Sequence, residues 1–315
     1  MKKNDCIFIA GHKGLVGSSV LSLLKKKGFR KIITIDKKKL DLRDSKKVLK
    51  YFKKKKIDYM VMAAARAGGI MANSNNQKDF FLENIEIQNS LLKLSLKKKI
   101  KRTIYLGTSC IYPKFSKTPI KENSLLTGKL EKTNQCYAIA KIAGIKLCEA
   151  LYEDNNLDII CLMPTNVYGV NDNFDKINGH VIPAMISKFI EAKKKKSKFI
   201  KLLGTGRPIR EFIHSDDLAG AIIKCLRVSN SQFKKKFKSK LPIINVGTGE
   251  TISISNLSKL IAKFVNFKGK IIFDRKFPDG TYKKNLDSKN IFNLGWRPNI
   301  KLQEGLKKVI QNRFY

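Results

Sequence analysis

Tyr137 and Lys141 stand on one face of a helical stretch, Tyr137-Ala138-Ile139-Ala140-Lys141, at a spacing that lets them act as a single acid–base unit. A free tyrosine titrates near about 10, so proton transfer near neutrality needs a positive charge that stabilises the phenolate, and Lys141 is placed to supply it. Upstream, Gly11-His12-Lys13-Gly14-Leu15-Val16-Gly17 lies between an apolar run and a helical pattern. A strand, a glycine turn and a helix N-terminus in that order set backbone N–H groups against a pyrophosphate. The spacing is G-x-x-G-x-x-G rather than G-x-G-x-x-G, and alone it also fits an ordinary strand-to-helix turn. Thr108, a strand-end hydroxyl between the two motifs, would hydrogen-bond the carbonyl that Tyr137 protonates. Singly, Tyr137 reads as a packing residue and Thr108 as a strand-end hydroxyl; in this order they describe a nicotinamide-dependent enzyme.

Asp36 follows Gly17 by nineteen residues and ends the second strand, where an acid binds adenosine ribose hydroxyls and favours NAD. Lys37, Lys38 and Lys39 come next, and a cation there would hold the 2′-phosphate of NADP; a solvated lysine run is the other reading. Cys110 immediately follows a strand end, the side on which open α/β sheets bind ligands, and is a candidate base. His180 opens the apolar pattern His180-Val181-Ile182-Pro183-Ala184-Met185 and reads equally as a capping or packing residue. His12, inside the glycine turn, and His214, before a helix start at Ser215, are read as structural.

The elements that must position these groups alternate. Cys6 to Ala10, Ile32 to Ile35, Tyr59 to Ala63, Thr103 to Leu106 and Ile159 to Met163 are strand-like. Between them lie helical patterns over Val16 to Lys27, Ser45 to Lys54, Asp79 to Leu96 and Tyr137 to Tyr152. That order predicts an α/β fold with a doubly wound parallel sheet covered on both faces. After Pro164 the alternation breaks, with loops marked by Pro183, Pro208, Pro278 and Pro298, while Asp216 to Leu226 predicts a helix returning to the first domain. The expected division is a cofactor domain of residues 1–164 with 211–246 and a smaller, discontinuous substrate domain of residues 165–210 with 247–315.

The 315 residues carry a formal charge of +40, which raises nucleic acid or an anionic membrane as a partner. The lysines are dispersed, however, in runs such as Lys25 to Lys27, Lys53 to Lys56, Lys97 to Lys99, Lys193 to Lys196 and Lys234 to Lys236, placed at helix ends or in loops. They read as solvated surface whose field attracts an anionic, nucleotide-linked substrate, with no nucleic acid as partner. Six cysteines show no paired spacing, and Cys6, Cys148, Cys161 and Cys225 lie in apolar stretches, which suits a reducing cytoplasm. No stretch reaches the apolar length of a membrane helix, and no metal-ligand cluster is visible.

The chain resembles the extended short-chain dehydrogenase/reductases, and within them the enzymes that epimerise and reduce GDP-4-keto-6-deoxy-D-mannose to GDP-L-fucose. The resemblance rests on Ala10 to Gly17, Ala63 to Ile70, Leu106 to Lys114, Tyr137 to Glu149, Met163 to Gly169, Asp172 to Phe174, Gly179 to Ala184, Arg210 to Phe212, Asn245 to Gly249 and Pro278 to Thr281. It implies a Rossmann-type fold, NADP(H) as cofactor, and a reduction set of Thr108, Tyr137 and Lys141. It also implies proton transfer at the sugar carbons by Cys110 and His180. Implied cofactor contacts are Gly11, Lys13, Gly14, Leu15, Val16, Gly17 and Lys37, then Leu106, Gly107, Thr108 and Ser109, then Lys141, Pro164, Thr165, Asn166, Val167 and His180. Lys188, Leu203, Arg210 and Asp279 fall at substrate-binding positions, with Lys188 where the family has Arg and Leu203 where it has Trp. A homodimer is implied through the helix carrying Tyr137 and its neighbour, because Ile139, Ile142, Ile145 and Leu147 exceed one core-facing stripe. A 4,6-dehydratase or UDP-hexose epimerase is the alternative within the fold, although the dehydratase has an Asp-Glu pair where this chain has Ser109-Cys110. A dinucleotide-sensing or RNA-binding protein on a degenerate enzyme fold is the alternative from another class.

Overall fold

The computed structural model describes residues 1–237, 240–277 and 279–314; Pro278 lies outside them. The first half runs β1 (Ile7–Ala10), α1 (Leu15–Lys26), β2 (Ile32–Ile33), α2 (Ser45–Phe52), β3 (Tyr59–Met62), α3 (Ile70–Asn75), α4 (Gln77–Lys98), β4 (Arg102–Leu106), α5 (Gln135–Asn155) and β5 (Ile159–Pro164). The second half runs β6 (Asn166–Tyr168), α6 (Val181–Lys194), β7 (Phe199–Leu203), β8 (Ile209–His214), α7 (Ser215–Arg227), α8 (Asn230–Phe237) and β9 (Ile243–Val246). It ends with β10 (Thr251–Ser253), α9 (Ile254–Val265), β11 (Lys270–Asp274), β12 (Lys283–Lys284), α10 (Lys289–Asn293) and α11 (Leu302–Phe314).

Six parallel strands form the main sheet in the order β2-β1-β3-β4-β5-β9. The chain order reverses between β1 and β3, and in such sheets the crevice beyond the strand ends at that reversal receives ligands. β1, β4 and β5 are buried along their whole length, as expected of strands covered on both faces. Phe8, Val48, Leu91 and Ile145 belong to the core under α2, α4 and α5; Ile7, Val20, Ile222 and Trp296 belong to the one under α1, α7 and α10. Truncating any of these large side chains to Ala would cost about 2–5 kcal/mol. A third core, with Phe189, Ile261 and Val309, joins α6, α9 and α11 to the β7–β11 pair.

A small sheet links the halves: β8 pairs with β6, β10 and β12. Glu211, fully buried on β8, accepts N–H groups from Gly249 at 2.7 Å and Leu286 at 2.8 Å, while its own carbonyl receives the side chains of Thr165 and Asn166. The segment 289–296, within the range read as substrate domain, sets Ile291 and Trp296 into the core beneath α1 and α7.

Several expectations are corrected. β2 stops at Ile33 instead of Ile35, because this edge strand has β1 alone as neighbour and their register ends at Phe8 and Ile33. Pro183 lies in the first turn of α6, where a missing N–H breaks no helical bond, not in a loop. Lys234 to Lys236 fall within α8. Ile142 and Ile145 are buried in their own subunit's core and are not surplus surface; Ile139, at 45% exposure, is the residue of that set that faces outward.

Candidate active site

The turn after β1 is built for close backbone approach. Gly11 has φ +84°, and a Cβ there would sit 2.6 Å from the Ala64 nitrogen; a Cβ on Gly17 would overlap the Gly11 carbonyl. Gly14 caps α1 with no side-chain hydrogen bond and the first turn holds no acid, so the helix opens on bare N–H groups beside Leu15 and Val16. A dinucleotide diphosphate fits this cradle. Lys13 reaches Asp36 at 2.7 Å and His12 lies 3.5 Å from it; the Lys13 hydrogen bond, first among several cations, holds the Asp36 carboxyl below the usual carboxylate range. Lys37 is exposed on the turn that follows.

The residues expected to form the reduction set gather where β4 meets α5. Buried Gln88 on α4 receives the Tyr105 hydroxyl at 2.8 Å and donates to the Ala140 carbonyl at 2.8 Å, fixing the helix against the sheet. Thr108, just past β4, accepts from the Cys110 N–H at 3.2 Å, which starts the short turn Ser109–Ile111, and its side chain acts on the Tyr137 phenol to favour the charged form. The Phe80 ring meets Tyr137 edge-on at 6.1 Å. Lys141 is buried; its ammonium donates to the Leu106 carbonyl at 2.9 Å and lies 5.2 Å over the Tyr105 ring, and burial lowers its pKa to about 8. The sequence predicts a phenol lowered by Lys141. In the structure loss of solvation, reinforced by the Cys110 thiol, pushes the phenol up against the opposing effect of Thr108, and the ammonium is turned to a carbonyl instead. A phenol that retains its proton is the form that donates one.

Cys110 is half-buried, and the Asn134 side-chain N–H donates to its sulfur at 3.3 Å. Asn134 is held there by the packing of α3 on the 132–134 turn, with the Ser74 hydroxyl donating to the Thr133 carbonyl. Charge on Cys110 acts on both Tyr137 and Arg210, which puts thiol, phenol and guanidinium in one neighbourhood. His180 caps α6 with its backbone extended, and its Nδ1 lies 3.0 Å from Asp172 Oδ1. Loss of solvation opposes charge on the ring, but the Asp172 bond and charge outweigh it and raise the His180 pKa. The loop ahead of His180 rests on the turn after β3, where the Gly69 N–H donates to the Asn178 carbonyl at 2.9 Å, and a Cβ on the adjoining Gly68 would meet the Phe80 ring that packs on Tyr137.

Pro164 ends β5 beside β4, Gly107 packs on Met163, and Thr165 and Asn166 are turned to Glu211, with Val167 on β6. Arg210 on β8 has its pKa lowered by burial, against the pull of Cys110, Asp279 and Glu131. Asp279 accepts from the Thr205 N–H at 2.9 Å and hydroxyl at 2.5 Å, so it braces the turn after Leu203. Lys188 stands apart on α6, its pKa lowered by burial and then by Lys176. A groove of about 980 Å³ between α1, α7 and the 296–308 segment shares no residue with this cluster. Among the described residues no group of three His, Cys, Asp or Glu side chains could hold a metal ion. Two site residues escaped the sequence reading. Asn134 has no motif signal, and Asp172 was visible within Asp172-Asn173-Phe174 but without a role.

The profile of the NAD dependent epimerase/dehydratase family matches residues 7–247. GDP-L-fucose synthase of Escherichia coli K12 is 41% identical over 97% of this chain and 95% of its own length. The crystal structure of a GDP-6-OMe-4-keto-L-xylo-heptose reductase from C. jejuni superposes with a TM-score of 0.92 at 33% identity, covering 99% of this chain and 98% of that one. A GDP-L-fucose synthetase from Naegleria fowleri bound to NADP superposes with a TM-score of 0.86 at 26% identity, covering 99% and 94%. The chain belongs to the NAD dependent epimerase/dehydratase family.

Proposed function

We propose that this family member converts GDP-4-keto-6-deoxy-D-mannose to GDP-L-fucose, by epimerisation at C3 and C5 followed by reduction of the C4 ketone. The observation that carries the reading is Cys110 held at the reduction set, its N–H on Thr108 Oγ1 at 3.2 Å and its sulfur on Asn134 at 3.3 Å, so that a candidate base for carbon lies beside the proton donor for oxygen. The C4 ketone acidifies the protons on C3 and C5, because removing either leaves an enolate whose charge rests on the C4 oxygen. Cys110 takes each proton, His180 returns one to the opposite face, and Thr108 with Tyr137 stabilises the oxyanion. The Gly11–Gly17 turn would hold the diphosphate of NADPH, with Lys13 and Lys37 available to its 2′-phosphate, and the cofactor would supply the hydride for C4. Tyr137 gives the C4 oxygen its proton, and Lys141 orients the nicotinamide ribose. Arg210 and Lys188 would meet the GDP phosphates, with Leu203 and Asp279 shaping that pocket.

The relatives named for GDP-fucose synthesis support this substrate; the heptose reductase supports a related GDP-sugar as the second reading. The functional units are taken as residues 1–164 with 211–246 for the cofactor and 165–210 with 247–315 for the sugar nucleotide. A homodimer through α4 and α5 belongs to the same reading, supported by the outward stripe of Ile139, Ala143 and Ala150. So does a cytoplasmic setting, supported by six free cysteines. Among the described residues no helix is long and apolar enough to cross a membrane.

The test follows solvent deuterium in recovered sugar together with NADPH oxidation. Tyr137→Phe should lose on the order of 10²-fold or more in reduction while exchange at C3 and C5 survives. Cys110→Ser should lose the exchange, since a serine hydroxyl is a far poorer base than a thiolate. Wild-type exchange in Cys110→Ser would remove Cys110 as the base.

A further inference from the structure

The ring of His180 is held by one partner. Asp172 Oδ1 lies 3.0 Å from Nδ1, and the carboxylate side chain is 3% exposed. The same oxygen accepts the Asn173 N–H at 2.8 Å, which fixes the carboxylate to its own loop. Asp172 Oδ2 is buried with no hydrogen-bond partner among the described residues. The neighbouring Asp175 is turned the other way, accepting the N–H groups of Ile177 at 3.0 Å and Asn178 at 2.6 Å. Asp172 is therefore the charged group among the described residues that acts on the imidazole. Nε2 has no protein partner among the described residues, and the side chain keeps 37% exposure, so the ring is gripped at one nitrogen and open at the other.

We propose that Asp172 is the positioning residue for proton delivery: by taking the Nδ1–H of His180 it fixes the ring and makes Nε2–H the proton returned to the sugar carbon. The inference rests on the epimerase reading above. In each cycle the Cys110 thiolate accepts the proton from C3 or C5 and becomes a thiol. His180 gives its Nε2 proton to the opposite face of the enolate and becomes neutral, with Nδ1–H still on Asp172. Solvent then returns a proton to Nε2 and removes one from the thiol, so charge and atoms balance over each inversion. A buried carboxylate suits this role, because it offers the imidazolium a counter-charge at hydrogen-bond distance.

The experiment compares wild type with Asp172→Asn, which keeps shape and an acceptor oxygen but loses charge, and Asp172→Glu, which keeps the charge. With three histidines in the chain, imidazole NMR resonances can be assigned using His180→Asn. Expected for Asp172→Asn are a His180 titration midpoint moved downward and a fall on the order of tenfold or more in deuterium incorporation at pH 7.5 (about one unit above an ordinary imidazole). Hydride transfer to the unepimerised ketone should remain. Asp172→Glu should recover part of the exchange. An unmoved midpoint with wild-type exchange in Asp172→Asn would overturn the proposal alone. So would equal losses in Asn and Glu variants accompanied by lowered melting temperature, which would make Asp172 a structural residue. Absence of exchange in the wild type would overturn the epimerase reading and this inference with it.

Discussion

The N-termini of α6 and α7 use the same residue in the same place to opposite ends. His180 and His214 are both extended N-cap residues, and each has an aspartate close by, at 3.0 Å for Asp172 and 3.6 Å for Asp216. His214 turns its Nδ1 inward to accept the Asp216 N–H at 3.2 Å, capping its helix, and the ring is buried against Tyr168. A nitrogen that accepts from a backbone N–H holds no proton, and loss of solvation lowers the His214 pKa despite the nearby acids. His180 turns Nδ1 to a carboxylate and its pKa rises. What decides whether a capping histidine carries a proton is the partner of Nδ1, a donor or an acceptor, more than its distance to an acid.

The widest separation should come from paired substitutions. His180→Asn should lower epimerised product relative to deuterium exchange by on the order of 10²-fold, whereas His214→Asn should leave that ratio at the wild-type value. Similar losses in both would erase the distinction. Next in size are the pH limbs. Exchange should fall as pH rises through the raised His180 value, while reduction holds until Lys141 loses its proton and then falls about tenfold per unit above pH about 8. Stopped-flow oxidation and exchange profiles that share one limb would contradict the assignment. Stability should show the same divergence with opposite sign. His180, raised in the fold, contributes most below the ordinary imidazole value of about 6.5 and loses that contribution as pH rises through its folded pKa. His214, lowered in the fold, contributes above that value and loses it as pH falls. Urea denaturation of His214→Ala should register about 1–3 kcal/mol near pH 8, shrinking toward pH 5. The smallest effect concerns His12, whose neighbouring acid is engaged by Lys13. Asp36→Asn should free Lys13 and raise the preference for NADPH over NADH by up to about fivefold, as an exposed ion pair permits; an unchanged ratio of initial rates would count against it.

The main sheet and its helices were legible because Ile7–Ala10, Ile104–Leu106 and Ile159–Pro164 are apolar runs separated by helical periods. The positions of Thr108, Tyr137 and Cys110 followed from the same order. The pairing of Asp172 with His180 was not legible, since a loop that folds back through backbone bonds to the turn at Gly69 has no periodicity to read. Nor was the direction of the Tyr137 shift, because spacing places Lys141 near the phenol but burial decides where its ammonium points. Ile142 and Ile145 misled for a related reason: α5 is covered by the sheet and α4 over more of its circumference than one stripe.

The contact between Gly69 and Gly179 bears on how such enzymes diverge. A methyl group on Gly69 would collide with the Gly179 carbonyl, and relief requires the 169–180 loop to shift, because both sides are backbone. The proposed hydroxyl–Tyr–Lys set is anchored elsewhere, through Gln88 and Tyr105. One mutation at this junction could therefore strip away inversion and spare reduction, giving descent a short path from a two-step epimerase to a simple ketone reductase on an unchanged scaffold.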